Sequence, residues 1–565
     1  MDYKKLPLGL EDFEKLITRG YYYIDKTMFL KELIDERAEV SLFTRPRRFG
    51  KTLNMSMIRY FFEDARDRNG NSQDHSHLFE GLQIMRQGEQ YREQMGQYPV
   101  ISLTLKSAKQ PDFEMSYQVL RAVIADEYIR HCYLCKSETM LPVEKEKYIR
   151  LMEQKGEAGE YANALQFLSK CLENYYGKKA VILIDEYDVP LENAFVRGFY
   201  GQMTDFIRSL FESALKTNSS LEFAVMTGCL RISRESIFTG MNNLAIFSIL
   251  SSRFSSYFGF TGEEVQRLCE DYGMPQKYGL MKEWYIGYVF GGANVYNPWS
   301  VLSFLYELRG NINSFPSAYW ANTSSNSIVR KMIDMADENT KQEIESLIAG
   351  KTLQKPVHED AAYHEVYESM EHLWSFLFFT GYLRKAGEYM DGSGKLFLEL
   401  AIPNKEVGLI FRRKILEWFE EKAGAKDRTR LFQAFIQGNA AVLEEEIGDM
   451  LLETISFYDA YESFYHGFLA GIFSGMKGYT VKSNREGGRG RSDLFVAPVT
   501  RRKAAFVVEF KIAGRIRDME AKAQEALRQI REQNYAAELE SDGFETVHKY
   551  GIAFVGKDCH VEWEA

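Results

Sequence analysis

Short apolar runs alternate with long amphipathic stretches through the first half of the chain. Val40–Phe43, Val100–Leu105, Ala180–Ile184 and Glu222–Thr227 are rich in β-formers, and the segments between them carry helical spacing. That alternation predicts βαβ units around a parallel sheet, the α/β class. Val181-Ile182-Leu183-Ile184 is apolar at every position, as expected of a strand covered on both faces. Residues 1–38 read as a leader with two helical turns, and 39–259 as the α/β unit. From 260 to 394 the pattern is mainly helical, broken by Gly291-Gly292-Ala293-Asn294 and Tyr296-Asn297-Pro298. A charged helical run over 395–455 reads as a connector. After Ser456 the pattern predicts an amphipathic helix (Phe457–Met476), two strands, a basic helix and a last strand near Tyr550–Val555. Residues 456–565 are therefore expected to form a small α/β domain of their own.

Composition narrows the class. The 565 residues are 45% hydrophobic and 14% aromatic, which excludes wholesale disorder. The longest apolar stretch, around Leu373–Leu383, falls short of the roughly 18 residues of a membrane span. Met1-Asp2-Tyr3-Lys4-Lys5 opens no hydrophobic signal segment, and six scattered cysteines make no disulfide framework. A soluble cytoplasmic protein with no membrane partner is expected. With 70 basic and 80 acidic side chains, a net charge of −10, a protein coated in nucleic acid is disfavoured, while local basic patches stay open.

Strand Val40–Phe43 leads into Thr44-Arg45-Pro46-Arg47-Arg48-Phe49-Gly50-Lys51-Thr52 and then a predicted helix, Leu53–Glu63. Gly50-Lys51-Thr52 fits the end of a Walker A loop. Glycine lets the backbone approach phosphates, Lys51 reaches the β- and γ-phosphates, and the Thr52 hydroxyl ligates Mg²⁺. The helix start supplies free N–H groups and partial positive charge. Arg47, Arg48 and Phe49 complete the candidate ATP-binding loop. Arg45 stands where the usual pattern has its first glycine. The buried strand Ala180–Ile184 ends in Asp185-Glu186, a Walker B arrangement in which Asp185 holds Mg²⁺ and Glu186 polarises the attacking water. A pair of acids capping the next helix is the simpler account of Asp185-Glu186 alone; strand–Gly-Lys-Thr–helix upstream makes the joint pattern harder to reach by chance. A third strand ends at Thr227, a candidate γ-phosphate sensor. Arg231 is a possible charge stabiliser or simply a surface arginine, and no spacing identifies an arginine finger.

These residues also carry a resemblance. Leu6-Pro7-Leu8-Gly9, Tyr23-Ile24-Asp25-Lys26-Thr27, the arginine-rich loop 45–52 and Thr227-Gly228-Cys229-Leu230-Arg231-Ile232 resemble the bacterial AAA-ATPase-like proteins. So do Trp284-Tyr285-Ile286-Gly287-Tyr288, Tyr296-Asn297-Pro298-Trp299-Ser300 and Tyr319-Trp320-Ala321-Asn322-Thr323. The resemblance spans nearly the whole chain. It implies that a loop lacking the first glycine is usual, and that the chain ends in a nuclease-like domain of the PD-(D/E)XK superfamily. It also suggests a role in defence against, or upkeep of, mobile DNA.

The C-terminal residues bear on that expectation directly. Arg491–Val496 and Ala504–Lys511 read as strands joined through Thr500-Arg501-Arg502. Asp493 and Glu509 each lie eight residues from position 501, so antiparallel pairing sets them opposite one another. Alternation puts Lys511 on the face of Glu509. Two carboxylates hold one or two Mg²⁺ ions, and Lys511 positions the nucleophile or stabilises charge on the phosphate. A surface cross-strand salt bridge is the plain alternative, but Phe506-Val507-Val508-Glu509-Phe510 is apolar on both faces, and an ionised Glu there needs a reason. Glu462 and His466 share a helix face. By the resemblance, Glu462 matches the helix glutamate that often completes the superfamily's metal site, the alternative being a boundary carboxylate facing solvent, and Gln529 and Tyr535 match the helix after the Glu-x-Lys strand. Between Lys477 and Tyr535 fourteen Lys/Arg oppose seven Asp/Glu, a local excess of +7 suited to a phosphate backbone. Gly487-Gly488-Arg489-Gly490-Arg491 is a basic turn ahead of Asp493. Cys132-Tyr133-Leu134-Cys135 beside His131 lacks the second pair a structural zinc needs, and the aromatics Trp284, Tyr285, Tyr288, Trp299 and Trp320 are read as helix packing.

The expectation is an ATP-binding P-loop ATPase fused to a Mg²⁺-dependent nuclease acting on nucleic acid, DNA first, with a homo-oligomer compatible. The alternative is a nucleotide-dependent oligomerisation or signalling switch whose nuclease-like domain only binds nucleic acid.

Overall fold

A computed structural model describes residues 3–231, 237–238, 241–320, 329, 332, 334–359, 369–392, 394–424, 428–452, 462–487, 490–500 and 503–565. The chain divides into two compact units, Met1–Ser325 with Gln354–Val407, and Asn326–Leu353 with Gly408–Ala565.

In the first unit β1 (Val40–Thr44) runs into α1 (Lys51–Phe62), and β2 (Val100–Thr104), β3 (Ala180–Asp185), β4 (Leu221–Gly228) and β5 (Leu244–Phe247) join it in one sheet. The strand order is β2-β3-β4-β1-β5 and every neighbouring pair is parallel. β1 and β3 are buried at every position, the outcome expected of strands with helices on both faces. Parallel order brings the C-terminal ends of β1, β3 and β4 to one edge, with Phe43 beside Thr227 and Ile184 beside Met226. Ligands in open α/β sheets bind at that edge.

The region after 260 is helical with strands set into it. β6 (Ile286–Phe290) and β7 (Ala293–Tyr296) form an antiparallel hairpin around the predicted glycine break. α3 (Pro298–Gly310) follows, its start capped by the Asn297 side chain. β8 (Arg384–Met390) pairs with β9 (Leu396–Ala401), so the expected border at 394/395 falls inside a hairpin. α4 (Lys405–Gly424) comes next.

In the second unit α5 (Glu462–Ser474) precedes a five-stranded sheet ordered β10 (Tyr479–Gly487), β11 (Gly490–Pro498), β12 (Ala505–Ile512), β13 (Val547–Val555) and β14 (Asp558–Glu564). The sheet is larger than the three strands expected. β12 and β13 are parallel and joined through α6 (Met519–Glu532); the other pairs are antiparallel. Val507 packs with Leu527 and Ile530 of α6. At Gly551 the helix approaches so closely that a Cβ would lie 2.2 Å from the Ala523 carbonyl oxygen. Among the described residues no helix is long and apolar enough to cross a membrane.

Candidate functional site

Gly50 adopts φ +83°, a left-handed conformation open to glycine, and the helix begins at the next residue. Lys51 is only 3% exposed. Its ammonium donates to the carbonyls of Arg45 (3.1 Å) and Pro46 (3.3 Å) and lies 3.4 Å from Glu186 Oε1. Burial opposes the charge, but the Cys229 thiol and the carboxylates of Glu186, Asp188 and Asp185 outweigh it and hold the ammonium above its ordinary pKa. Thr52 Oγ1 donates to Asp185 Oδ2 at 2.7 Å. Thr227, buried, donates its hydroxyl to the other oxygen of Asp185. Burial, then the neighbouring Glu186, raises the Asp185 pKa. Glu186 itself stands at φ +53°, an uncommon conformation for a residue with a side chain, and its N–H points at Thr227 Oγ1 at 3.4 Å.

Arg45 turns inward. Its Nη1 donates to the carbonyls of Thr44 (2.9 Å) and Phe247 (2.6 Å), and its guanidinium lies over the Phe258 and Phe290 rings at 4.9 and 5.4 Å. Full burial pushes its pKa down to about 9, which leaves it charged at neutral pH. Arg48 stacks on Trp299 at 4.6 Å, and Phe49 is buried against Tyr288 and Phe290. Arg47 reaches Glu192 at 2.5 Å.

A cavity of about 430 Å³ opens over Arg47–Asn54 and Glu186. Its far wall comes from the leader, with Leu10 and Tyr22, and from Trp299 at the start of α3. Trp299 therefore faces a cavity rather than only a helix neighbour; its clue in the sequence was its place directly after Asn297-Pro298. Thr227 and Arg231 do not line the cavity. Arg231 lies 3.5 Å from Glu359. Asp188 was not singled out from the sequence. It is buried, accepts the N–H groups of Cys229 (2.8 Å) and Leu230 (3.1 Å), and has its pKa raised by burial and by Glu186.

The second unit brings its predicted residues together on β11 and β12. The observed register sets Leu494 opposite Val508, and Asp493 and Glu509 lie one residue beyond that pair. The Asp493 N–H donates to Glu509 Oε2 at 3.3 Å, and the Phe510 N–H to Asp493 Oδ2 at 3.0 Å. Glu509 is 2% exposed, and burial together with Asp493 pushes its pKa up to about 7. Lys511 Nζ lies 3.2 Å from Glu509 Oε1, and Gln529 Nε2 donates to the same oxygen at 2.6 Å. Gln529 also donates to the Tyr535 hydroxyl at 3.2 Å. His466 Nε2 sits 3.1 Å from the Asp493 carbonyl oxygen. The side chains of Glu462 and Arg491, and residues 488–489 and 501–502, lie outside the described residues.

Both sites offer hard oxygen donors of the kind Mg²⁺ prefers: Thr52 with Asp185 in one, Asp493 with Glu509 in the other. Among the described residues no group of three or more His, Cys, Asp or Glu is arranged to hold a metal ion.

Comparison with known proteins agrees with this division. Residues 7–238 match the family model described as Predicted AAA-ATPase, and 460–564 match that of the PD-(D/E)XK nuclease superfamily. The chain is 26% identical to an uncharacterized protein in the vnfD 5' region of Azotobacter chroococcum mcd 1, over 98% of this chain and 97% of that protein. The chain is thus a fusion of an AAA-ATPase-like domain with a C-terminal domain of the PD-(D/E)XK nuclease superfamily.

Proposed function

We propose that the chain is a nucleotide-gated nuclease, in which an ATPase domain binds and hydrolyses ATP and the C-terminal domain cleaves nucleic acid, DNA first. The observation that carries the nuclease half is the buried Glu509, met by Lys511 and Gln529 and paired across strands with Asp493. A carboxylate this buried costs several kcal/mol unless its charge is used or paired. Asp493 and Glu509 would hold Mg²⁺, with Glu462 a further candidate. A bound Mg²⁺ supplies charge neutralisation on the scissile phosphate and an activated water. Lys511 orients the nucleophile or bears charge in the transition state; Gln529 fixes Glu509 in place. The basic excess around this site suits a phosphate backbone.

In the ATPase half, Lys51 binds the β- and γ-phosphates, Thr52 and Asp185 hold Mg²⁺, and Glu186 takes the proton of the attacking water. Thr227 orients Asp185 from behind. Arg47, Arg48, Phe49 and Gly50 shape the loop, and Arg231 acts outside the phosphate cavity. Nucleotide occupancy gates engagement of nucleic acid, and the resemblance extends the reading to mobile DNA. In the test, purified protein is incubated with plasmid, linear and single-stranded DNA and with RNA, with and without Mg²⁺ and ATP. Lys511→Ala is expected to abolish Mg²⁺-dependent cleavage and leave ATP hydrolysis intact. Lys51→Ala is expected to weaken ATP binding at least tenfold. Cleavage surviving in Lys511→Ala would remove the nuclease assignment.

A further inference from the structure

The segment after β2 carries cations that neither Walker element contains. Its start is tied to the acidic strand end, since the Leu105 N–H donates to the Asp185 carbonyl at 3.0 Å. Its middle is tied to the helix α2 (Val189–Arg197), which begins three residues after Glu186; there Asn193 Nδ2 donates to the Gln110 carbonyl at 2.7 Å. Between these anchors Lys109 lies 3.3 Å from Glu192 Oε2, the same oxygen that accepts from Arg47 at 2.5 Å. Arg47 and Lys109 both line the cavity over Lys51 and Glu186. Two cations thus share one carboxylate at that wall. Burial opposes the Arg47 charge, and Cys229, Glu192, Asp188 and Glu186, in that order, outweigh it and raise the pKa.

We propose that Arg47 and Lys109, bridged by Glu192, form an intramolecular cation pair that binds the terminal phosphoryl group of a nucleoside triphosphate and stabilises its charge during hydrolysis. The inference rests on the ATPase reading above. In that reaction water forms a new bond to the γ-phosphorus, its proton passes to Glu186, and the bond to the β,γ-bridging oxygen breaks, giving inorganic phosphate and the diphosphate. Negative charge on the transferred group and on the leaving oxygen is what an arginine finger neutralises, and Arg and Lys differ in how they meet it: a planar fork for two oxygens, a point charge for one. Glu192 is a positioning residue, holding both cations from α2 without facing the phosphate.

The test compares ATP turnover and ADP affinity in the full chain, its Lys109→Met variant and its Glu192→Gln variant. Lys109→Met keeps the aliphatic stem of an exposed side chain; it is expected to lower kcat on the order of 30-fold while the Kd for ADP stays within twofold. Glu192→Gln, which keeps both cations but weakens the bridge, is expected to fall between, with its melting temperature unchanged. Unchanged kcat in Lys109→Met overturns the proposal. So does a parallel loss of ADP affinity, which would put Lys109 on phosphates common to both nucleotides. Wild-type specific activity that climbs with protein concentration and ignores Lys109 would give the role to a second copy, and also overturns it. Absence of any ATP binding by the wild-type chain is a different result, and removes the ATPase reading itself.

Discussion

Glu406 accepts the backbone N–H of Trp320 at 2.8 Å, and Trp320 in turn donates its indole N–H to the carbonyl of Arg47 at 3.3 Å. The Ser300 hydroxyl, next to Trp299 of the cavity wall, donates to the same carboxylate. Glu406 is fully buried at the start of α4, and burial pushes its pKa up to about 7. A carboxyl raised above its unfolded value favours folding while protonated. That contribution is whole below about pH 4.5 and is lost as pH climbs through about 7. Its full span is on the order of 3 kcal/mol. Glu406→Gln is therefore expected to flatten the fall in stability of the ATPase-like unit between pH 5 and 7.5, read as denaturant midpoints. Equal slopes in both proteins would show that Glu406 titrates normally.

Arg45 replaces the first loop glycine, yet it fastens β1 to Phe247 of β5 from inside the protein. Restoring glycine removes buried hydrogen bonds and the guanidinium stacked on two rings. Arg45→Gly is expected to cost about 3 kcal/mol and to weaken nucleotide binding rather than improve it. Chemical denaturation with a nucleotide titration checks this; a stable variant with tighter ATP binding contradicts it.

Much of this was legible in the sequence, for physical reasons. The Asp493–Glu509 register followed from a short hairpin centred near 501, because apolar alternation fixes which face is buried. Strand–Gly-Lys-Thr–helix and the apolar β3 are local signals, and Thr52 meets Asp185 once the parallel sheet forms. Other features depended on distant partners. Glu406 sat in a charged run that read as a connector, because Ser300 and Trp320 lie about a hundred residues away in sequence. Arg45 read only as a departure from the first loop glycine, since nothing local says that carbonyls wait for it. β10, with Lys482, Ser483, Asn484 and Arg485, and β14, with acids at alternate positions, are the outermost strands of their sheet, and no apolar run marks either of them in the sequence.

Gly551 is where α6 lies closest to its sheet. A methyl group there meets the Ala523 carbonyl at 2.2 Å and the Leu527 side chain at 2.9 Å. Backbone cannot swing aside as a side chain can, so the helix must shift. Gly551→Ala is expected to destabilise the C-terminal domain by at least about 2 kcal/mol and to impair cleavage, because Gln529 rides on that helix. Cleavage and melting temperature are the readouts, and normal values in both would mean the helix has room to spare.

Gln529 and Glu509 make the last prediction. With its pKa near 7, Glu509 is largely protonated below neutrality, and a protonated carboxyl is a poor ligand for Mg²⁺. The Mg²⁺ concentration for half-maximal cleavage is therefore expected to fall about tenfold per unit between pH 5.5 and 6.5 and to level off above pH 8. Gln529 donates to Glu509 Oε1, and a hydrogen bond donated to a carboxylate favours the ionised form. Removing it in Gln529→Leu is expected to move the midpoint of that profile upward by half a unit or more, with the maximal rate at pH 9 and saturating Mg²⁺ reduced less than tenfold. A residue that merely packs would lower the rate at every pH and leave the midpoint where it was. Cleavage measured across pH and Mg²⁺ in the two proteins separates these outcomes, and an unmoved midpoint would assign Gln529 to packing alone.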